Sequence, residues 1–159
     1  MIRIAKLTDY AIVLLTYVAR DRDRGVHNAR DLAAESHLPL PTVSKVLKSL
    51  SRGGLLVSHR GATGGYGLAK PADAISVAEI IAAMEGPVAL TECSTNCPGV
   101  CEIEKVCPVR RNWRSINAVV LRSLENLTLS DMAEPLPKPS VGRARERPAR
   151  PVLTLLAKR

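Results

Sequence analysis

Apolar residues return every three or four positions through Leu7, Ala11, Leu14, Leu15 and Val18, which predicts a first helix over LTDYAIVLLTYVAR, ending at the polar DRDRG turn. A second helix is expected over NARDLAAESHL. Asn28 can cap it, and the acidic Asp31 three residues on suits the positive end of the helix dipole. After a short turn over 36–40, Val43, Val46, Leu47 and Leu50 form one apolar stripe down PTVSKVLKSLSRGG. Pro41 fits its first turn and Gly53-Gly54 closes it, so this is a third helix. The period then changes. LLVSHRGATGGYGLAK has β-prone residues on either side of a glycine-rich tip, Gly61 to Gly65, and predicts a hairpin.

Ser76 and Glu79 form a capping box at the start of VAEIIAAMEG, a fourth helix stopped at Gly86. Beyond a cysteine-bearing loop, Pro108 can open a long helix in which Trp113, Ile116, Val120, Leu124 and Leu127 follow spacings of three and four. So narrow a stripe on an otherwise polar helix suits a helix-helix seam, within the subunit or between two. From about Pro135 the periodicity fails in PLPKPSVGRARERPARPVLTLLAKR, where prolines and like charges predict a disordered basic tail.

Two helices joined by a tight turn and followed at once by a hairpin are the order of a winged helix-turn-helix. The expected fold class is therefore mainly α with a small β-hairpin wing, plus a long C-terminal dimerisation helix. The expected division is a DNA-binding domain over 1–86, a cysteine loop over 87–107, a dimerisation helix over 108–133 and the basic tail over 134–159.

Charge sharpens this picture. Residues 1–70 carry 11 Lys/Arg against 5 Asp/Glu, 71–137 carry 5 against 9, and 138–159 carry 7 against 1. A basic N-terminal half points to a polyanionic partner, and to nucleic acid before membrane, because no basic amphipathic helix with aromatic anchors is present. With 3% aromatic residues and no Phe, the core must be built from Leu, Val, Ile and Ala. The apolar run Ala11 to Ala19 is too short to span a bilayer, no signal pattern is evident, and a soluble cytoplasmic protein with reduced thiols is expected.

On the third helix the buried stripe leaves Thr42, Ser44, Lys45, Lys48 and Ser49 on the other side. Hydroxyls serve phosphates or base edges, and Lys45 can reach guanine O6 or N7. Arg60, beside the glycines of the hairpin tip, is placed to enter a minor groove. The histidines His27, His37 and His59 match no ligand pattern and are expected in solvated or capping roles.

All four cysteines fall in CSTNCPGVCEIEKVC, spaced C-x3-C-x3-C-x5-C. Clustered thiolates repel unless a cation shares their charge, so metal binding is the natural resolution. Spacing alone does not separate structural zinc from an iron-sulfur cluster, and leaves a disulfide or inert thiols as further readings. A thiol enzyme is disfavoured, since there is neither a C-x2-C nor a Cys/His/Asp constellation for covalent catalysis.

LTDYAIVLLTYVA, LPLPTVSKVLKSLSRGGLL, HRGATGGYGLAK, ISVAEII and the cysteine loop, in this order, resemble the Rrf-two family of winged-helix regulators, whose members sense iron-sulfur clusters or nitric oxide. ALTECS, CEIEKVCPVRRNWRSIN and SLENLTLSDMA look most like its branch regulating the SUF system of cluster assembly. The resemblance covers about residues 1–133. It implies a homodimeric regulator, a repressor of cluster-assembly genes, acting on a palindromic operator in double-stranded DNA, with no membrane role and no small-molecule substrate.

It also implies a cluster, [2Fe-2S] in preference to [4Fe-4S], held by Cys93, Cys101 and Cys107, zinc being the alternative. Arg110 stands where some members have a histidine ligand. The fourth position then falls to Cys97, or to Asp9, from whose position some nitric-oxide sensors reach across a dimer. Thiolate suits iron-sulfur iron better than carboxylate, which favours Cys97. DNA contacts carry over to Pro41, Thr42, Ser44 and Lys45, with Arg60 in the wing, and Lys48 joins them from its place on the same helix face.

Overall fold

The structure, a computed structural model, describes residues 3–21, 25–61, 64–95 and 101–134. Cys97 and the basic segment 135–159 lie outside the described residues. The elements run α1 (Lys6–Arg20), α2 (Ala29–Ser36), α3 (Leu40–Arg52), β1 (Leu56–His59), β2 (Gly65–Leu68), α4 (Val77–Glu85), α5 (Arg110–Glu125) and α6 (Leu129–Ala133), with short 3-10 turns at Ala72–Ala74 and Glu92–Ser94. This mainly helical fold with a two-stranded antiparallel hairpin is the expected class.

Local signals explain most boundaries. Asn28 accepts from the backbone N–H of Asp31 at 2.9 Å and opens α2. His37, at φ 55°, ends α2 in the left-handed region that terminates helices. The Pro39 carbonyl then accepts from Val43 N at 3.0 Å, and α3 begins one residue before the expected Pro41. The first turn of α1 has no side-chain cap of its own. Glu85, at the end of α4, supplies one by accepting from Ala5 N at 3.0 Å and from the hydroxyl of the buried Thr8. The capping box of Ser76 and Glu79 is present, and Gly86, at φ 92°, closes α4.

The core is one cluster. Leu14 and Leu15 of α1, Leu32 of α2, the Val43, Val46, Leu47 and Leu50 stripe of α3, Ile75 and Ile80 are fully buried, and among the described residues no Tyr or Trp is. Each such aliphatic side chain contributes roughly 1.5–3 kcal/mol relative to exposure. At Gly53 a Cβ would come within 2.6 Å of the Ala83 Cβ, so the end of α3 sits directly on α4.

β1 pairs antiparallel with β2, from Leu56 opposite Leu68 to His59 opposite Gly65. The backbone at His27 adds an isolated bridge to β2, exchanging hydrogen bonds with Tyr66 at 2.9 and 2.8 Å. A Cβ at Gly65 would lie 2.4 Å from the His27 carbonyl oxygen, and glycine alone allows that approach. His27 is consequently buried, contrary to the solvated or capping role expected of it, because its own backbone is part of the wing. His37 does end a helix, and His59 is exposed.

The helix expected from Pro108 to beyond Leu127 is two helices. α5 starts at Arg110 and stops at Glu125. Thr128 and Asp131 then form a second capping box, and α6 turns back so that Leu129 is fully buried. Val77 N donates to Leu127 O and Leu129 N to Ile75 O, both at 2.8 Å, while Arg20 Nε donates to Ala133 O at 2.7 Å. Among the described residues no helix is long and apolar enough to cross a membrane.

Candidate nucleic-acid interface and thiol site

The core stripe of α3 fixes which side of that helix faces outward. Pro41, Lys45 and Lys48 are exposed, and Thr42, Ser44 and Ser49 are partly so. Lys45 and Lys48, one turn apart, stand on the same face. Arg52 continues it a turn further and is held back over the helix, its Nε 3.4 Å from Lys48 O. Arg60 is exposed just past β1. The expected contact residues thus lie on the outward face of α3 and in the adjoining hairpin.

The thiols lie elsewhere. Cys93 sits in the short turn Glu92–Ser94 and is 7% exposed; Cys101 and Cys107 are partly exposed, and all three are free. Thr91 Oγ1 lies 3.3 Å from Cys93 Sγ and 2.8 Å from Ser94 Oγ. Among the described residues no three Cys, His, Asp or Glu side chains come together to hold a metal ion, and Asp9 is exposed on α1. The donor chemistry nonetheless fits a thiophilic group: Cys93, Cys101 and Cys107 are free soft sulfur donors, and Cys107 lies beside a cationic helix end. Lys105, Cys107, Pro108, Arg110, Arg111, Arg114 and Glu104 line an open cleft of about 360 Å³ there.

The first turn of α5 begins with Arg110 and Arg111, holds no acidic residue, and has no side-chain cap. Cations at a helix N-terminus oppose its dipole, so this end is electrostatically suited to accept a negative group. Glu104 compensates part of the charge by pairing with Arg110, and Arg114 is 3.9 Å from the same carboxylate oxygen.

Asn117 is the buried residue of α5. Its Oδ1 accepts from Leu90 N at 2.9 Å and its Nδ2 donates to Val88 O at 3.4 Å. Arg114 Nε donates to Cys93 O at 3.2 Å. Neither residue was singled out by sequence reasoning. The available signal was their spacing, Arg110, Arg114, Asn117 and Leu121, which places them on one helical face. Trp113 and Ile116 of the expected seam are 39% and 46% exposed, whereas Leu124 packs against the core.

A helix-turn-helix on an aliphatic core, a hairpin wing beside it and lysines on the outward face of the second helix define a winged-helix transcription regulator. The chain belongs to the Rrf2 family: the family model, described as an iron-dependent transcriptional regulator, matches residues 4–135. Members of this family are DNA-binding regulators and not enzymes.

Solved structures agree. CymR (YrzC), the global cysteine regulator of B. subtilis, is 28% identical, with 84% of this chain and 97% of that one covered and a TM-score of 0.66. The oxidized form of Staphylococcus aureus CymR is also 28% identical, over 86% and 100% of the two chains, with a TM-score of 0.64. IscR of T. potens, at 24% identity over 82% and 85% with a TM-score of 0.63, shares the fold.

Proposed function

We propose that this regulator is a homodimeric sensor that binds an iron-sulfur cluster, [2Fe-2S] in preference to [4Fe-4S], and represses SUF-type cluster-assembly genes through a palindromic operator. The observation that carries this reading is Cys107 in the cleft at the cationic start of α5 and Cys93 in a turn whose carbonyl is held by Arg114 of that helix, which also bears the exposed Trp113 and Ile116. The family's iron-dependent description supports it. Cys93, Cys101 and Cys107 would hold the cluster, with Cys97 as fourth ligand or Asp9 in its place. A bound cluster supplies an iron- and redox-dependent link among those thiolates.

The chain's own residues do the rest. Pro41, Thr42, Ser44, Lys45 and Lys48 engage the major groove and Arg60 the wing contact. Two copies place two α3 helices about one turn of DNA apart, so a small change in the spacing of the copies suffices to lose one half-site. Anaerobic purification tests the cofactor. A brown protein with acid-labile sulfide, whose operator affinity differs from that of its apo form at matched salt, supports the reading. Colourless protein with stoichiometric zinc, or equal affinity of the two forms, overturns it.

A further inference from the structure

Two cysteine-bearing segments are held on α5, and both reach Arg114. The strap from α4 to Cys93 is held by Asn117, through Leu90 N and Val88 O, and then by Arg114 Nε on the carbonyl of Cys93 itself. The segment from Cys101 to Cys107 is held by Glu104, whose partly buried carboxylate pairs with Arg110 and lies 3.9 Å from the Arg114 guanidinium. Arg114 thus touches both. Its forked, planar cation can serve a carbonyl with one nitrogen and a carboxylate with another, which an ammonium does less well.

Arg114 bears on a helix that packs on its own subunit through one face and leaves another open. Arg110, Arg114, Asn117 and Leu121 form the inner face, while Trp113, Ile116 and Val119 are 39%, 46% and 62% exposed. A displacement of either cysteine segment therefore pulls on the inner face of the helix that carries the open apolar stripe.

We infer that Arg114 is a positioning residue: it registers the Cys93 turn and the 101–107 segment on α5, so that the state of the thiols is passed to the helix. The inference rests on the thiol site having the sensing role proposed above, but its test begins with reduced apo protein and does not require a cofactor. Arg114 has a side chain that is 54% exposed, so its replacement leaves the core intact.

The experiment alkylates full-length reduced protein with iodoacetamide and follows each cysteine by mass spectrometry. Arg114→Ala is expected to speed labelling of Cys93 about tenfold, the effect of losing one charge-assisted hydrogen bond. Labelling of Cys101 and Cys107 should also rise, with apo-form DNA affinity unchanged and the melting temperature lowered by a few degrees at most. Glu104→Gln should loosen Cys101 and Cys107 and leave Cys93 at its native rate. Arg114→Lys should restore part of the protection.

Wild-type labelling rates at all three cysteines in Arg114→Ala overturn the inference. So does a rise confined to one segment, or a fall in melting temperature beyond the few degrees that losing one hydrogen bond costs. The sensing role fails separately: wild-type protein purified without oxygen then holds neither iron nor sulfide, whatever Arg114 does to the thiols.

Discussion

Ser76 and Thr128, each the N-cap of a helix, face one another in an antiparallel bridge. Val77 N and Leu129 N donate across it to Leu127 O and Ile75 O, both at 2.8 Å. Each cap side chain accepts from its own third helical residue, Glu79 or Asp131, and each of those carboxylates accepts from the cap backbone in return. α4 and α6 therefore start from a shared seam. The seam ties the end of the α5 connection into the DNA-binding half and carries Leu129 into the core.

Leu129→Ala should accordingly behave as a core deletion in the main domain. The expected loss is about 2–5 kcal/mol, the range for buried leucine truncations that leave a cavity. Chemical denaturation checks it, and an unchanged midpoint would mean that α6 is not docked on α1 in solution.

The same two caps predict a response to acid. The Lys70 ammonium, 2.6 Å from Glu79 Oε1, and next the Ser76 backbone N–H, hold the Glu79 carboxyl below its ordinary value of 4.5. The backbone N–H of Thr128, then its hydroxyl, hold the Asp131 carboxyl below 3.8. Both groups bind protons more weakly folded than unfolded, so their stabilisation is complete above the ordinary carboxylate values and is lost as pH falls through the depressed ones. The melting temperature should fall between about pH 5 and about pH 2, and fall less steeply in a Glu79→Gln, Asp131→Asn chain. Parallel curves for the two proteins would remove the caps as the source.

How much of this was legible in the sequence depended on the range of the contact. Asn28, Ser76 with Glu79, and Gly86 work within one turn, so the boundaries they set could be read directly. The outward set of α3 followed from its buried stripe for the same reason. His27 was misjudged because its burial depends on Tyr66, far along the chain, and on the absence of a Cβ at Gly65. α6 was hidden inside a continuing apolar rhythm; the Thr128 and Asp131 box was the local sign, and Ile75 the distant cause. Asn117 points inward against its polarity, since Val88 and Leu90 need backbone partners that an aliphatic side chain lacks. At the thiol site the sequence showed the donors, whereas the cationic cleft beside Cys107 required the fold.

On α3, Lys45 stands exposed on the outward face. If it contacts a base, Lys45→Ala should cost about 1–3 kcal/mol on the preferred operator and relax preference at one position. Binding measured across a set of single-base operator variants distinguishes the roles. A loss uniform over all variants, with the salt slope reduced by about one, assigns Lys45 to a phosphate instead.

The outer stripe of α5 yields the last prediction. Val109, Trp113, Ile116 and Val119 are 45%, 39%, 46% and 62% exposed, on a helix whose buried side chain is an asparagine. A monomer gains nothing by presenting such a stripe to water, and in the homodimer proposed above a second copy would cover it with an identical one across a two-fold axis. Ile116→Asp would place a charge at the centre of that seam, where it can be neither hydrated nor paired. The expected result is a dimer dissociation constant raised by about a hundredfold or more, corresponding to roughly 3 kcal/mol, with the melting temperature of the monomer core little changed. Sedimentation velocity over a concentration series reads it directly. Arg122→Ala, exposed on the same helix but off the stripe, should sediment as the wild type does. Equal association in the wild type and Ile116→Asp would move the dimer seam off α5, and with it the route by which the thiols reach two recognition helices at once.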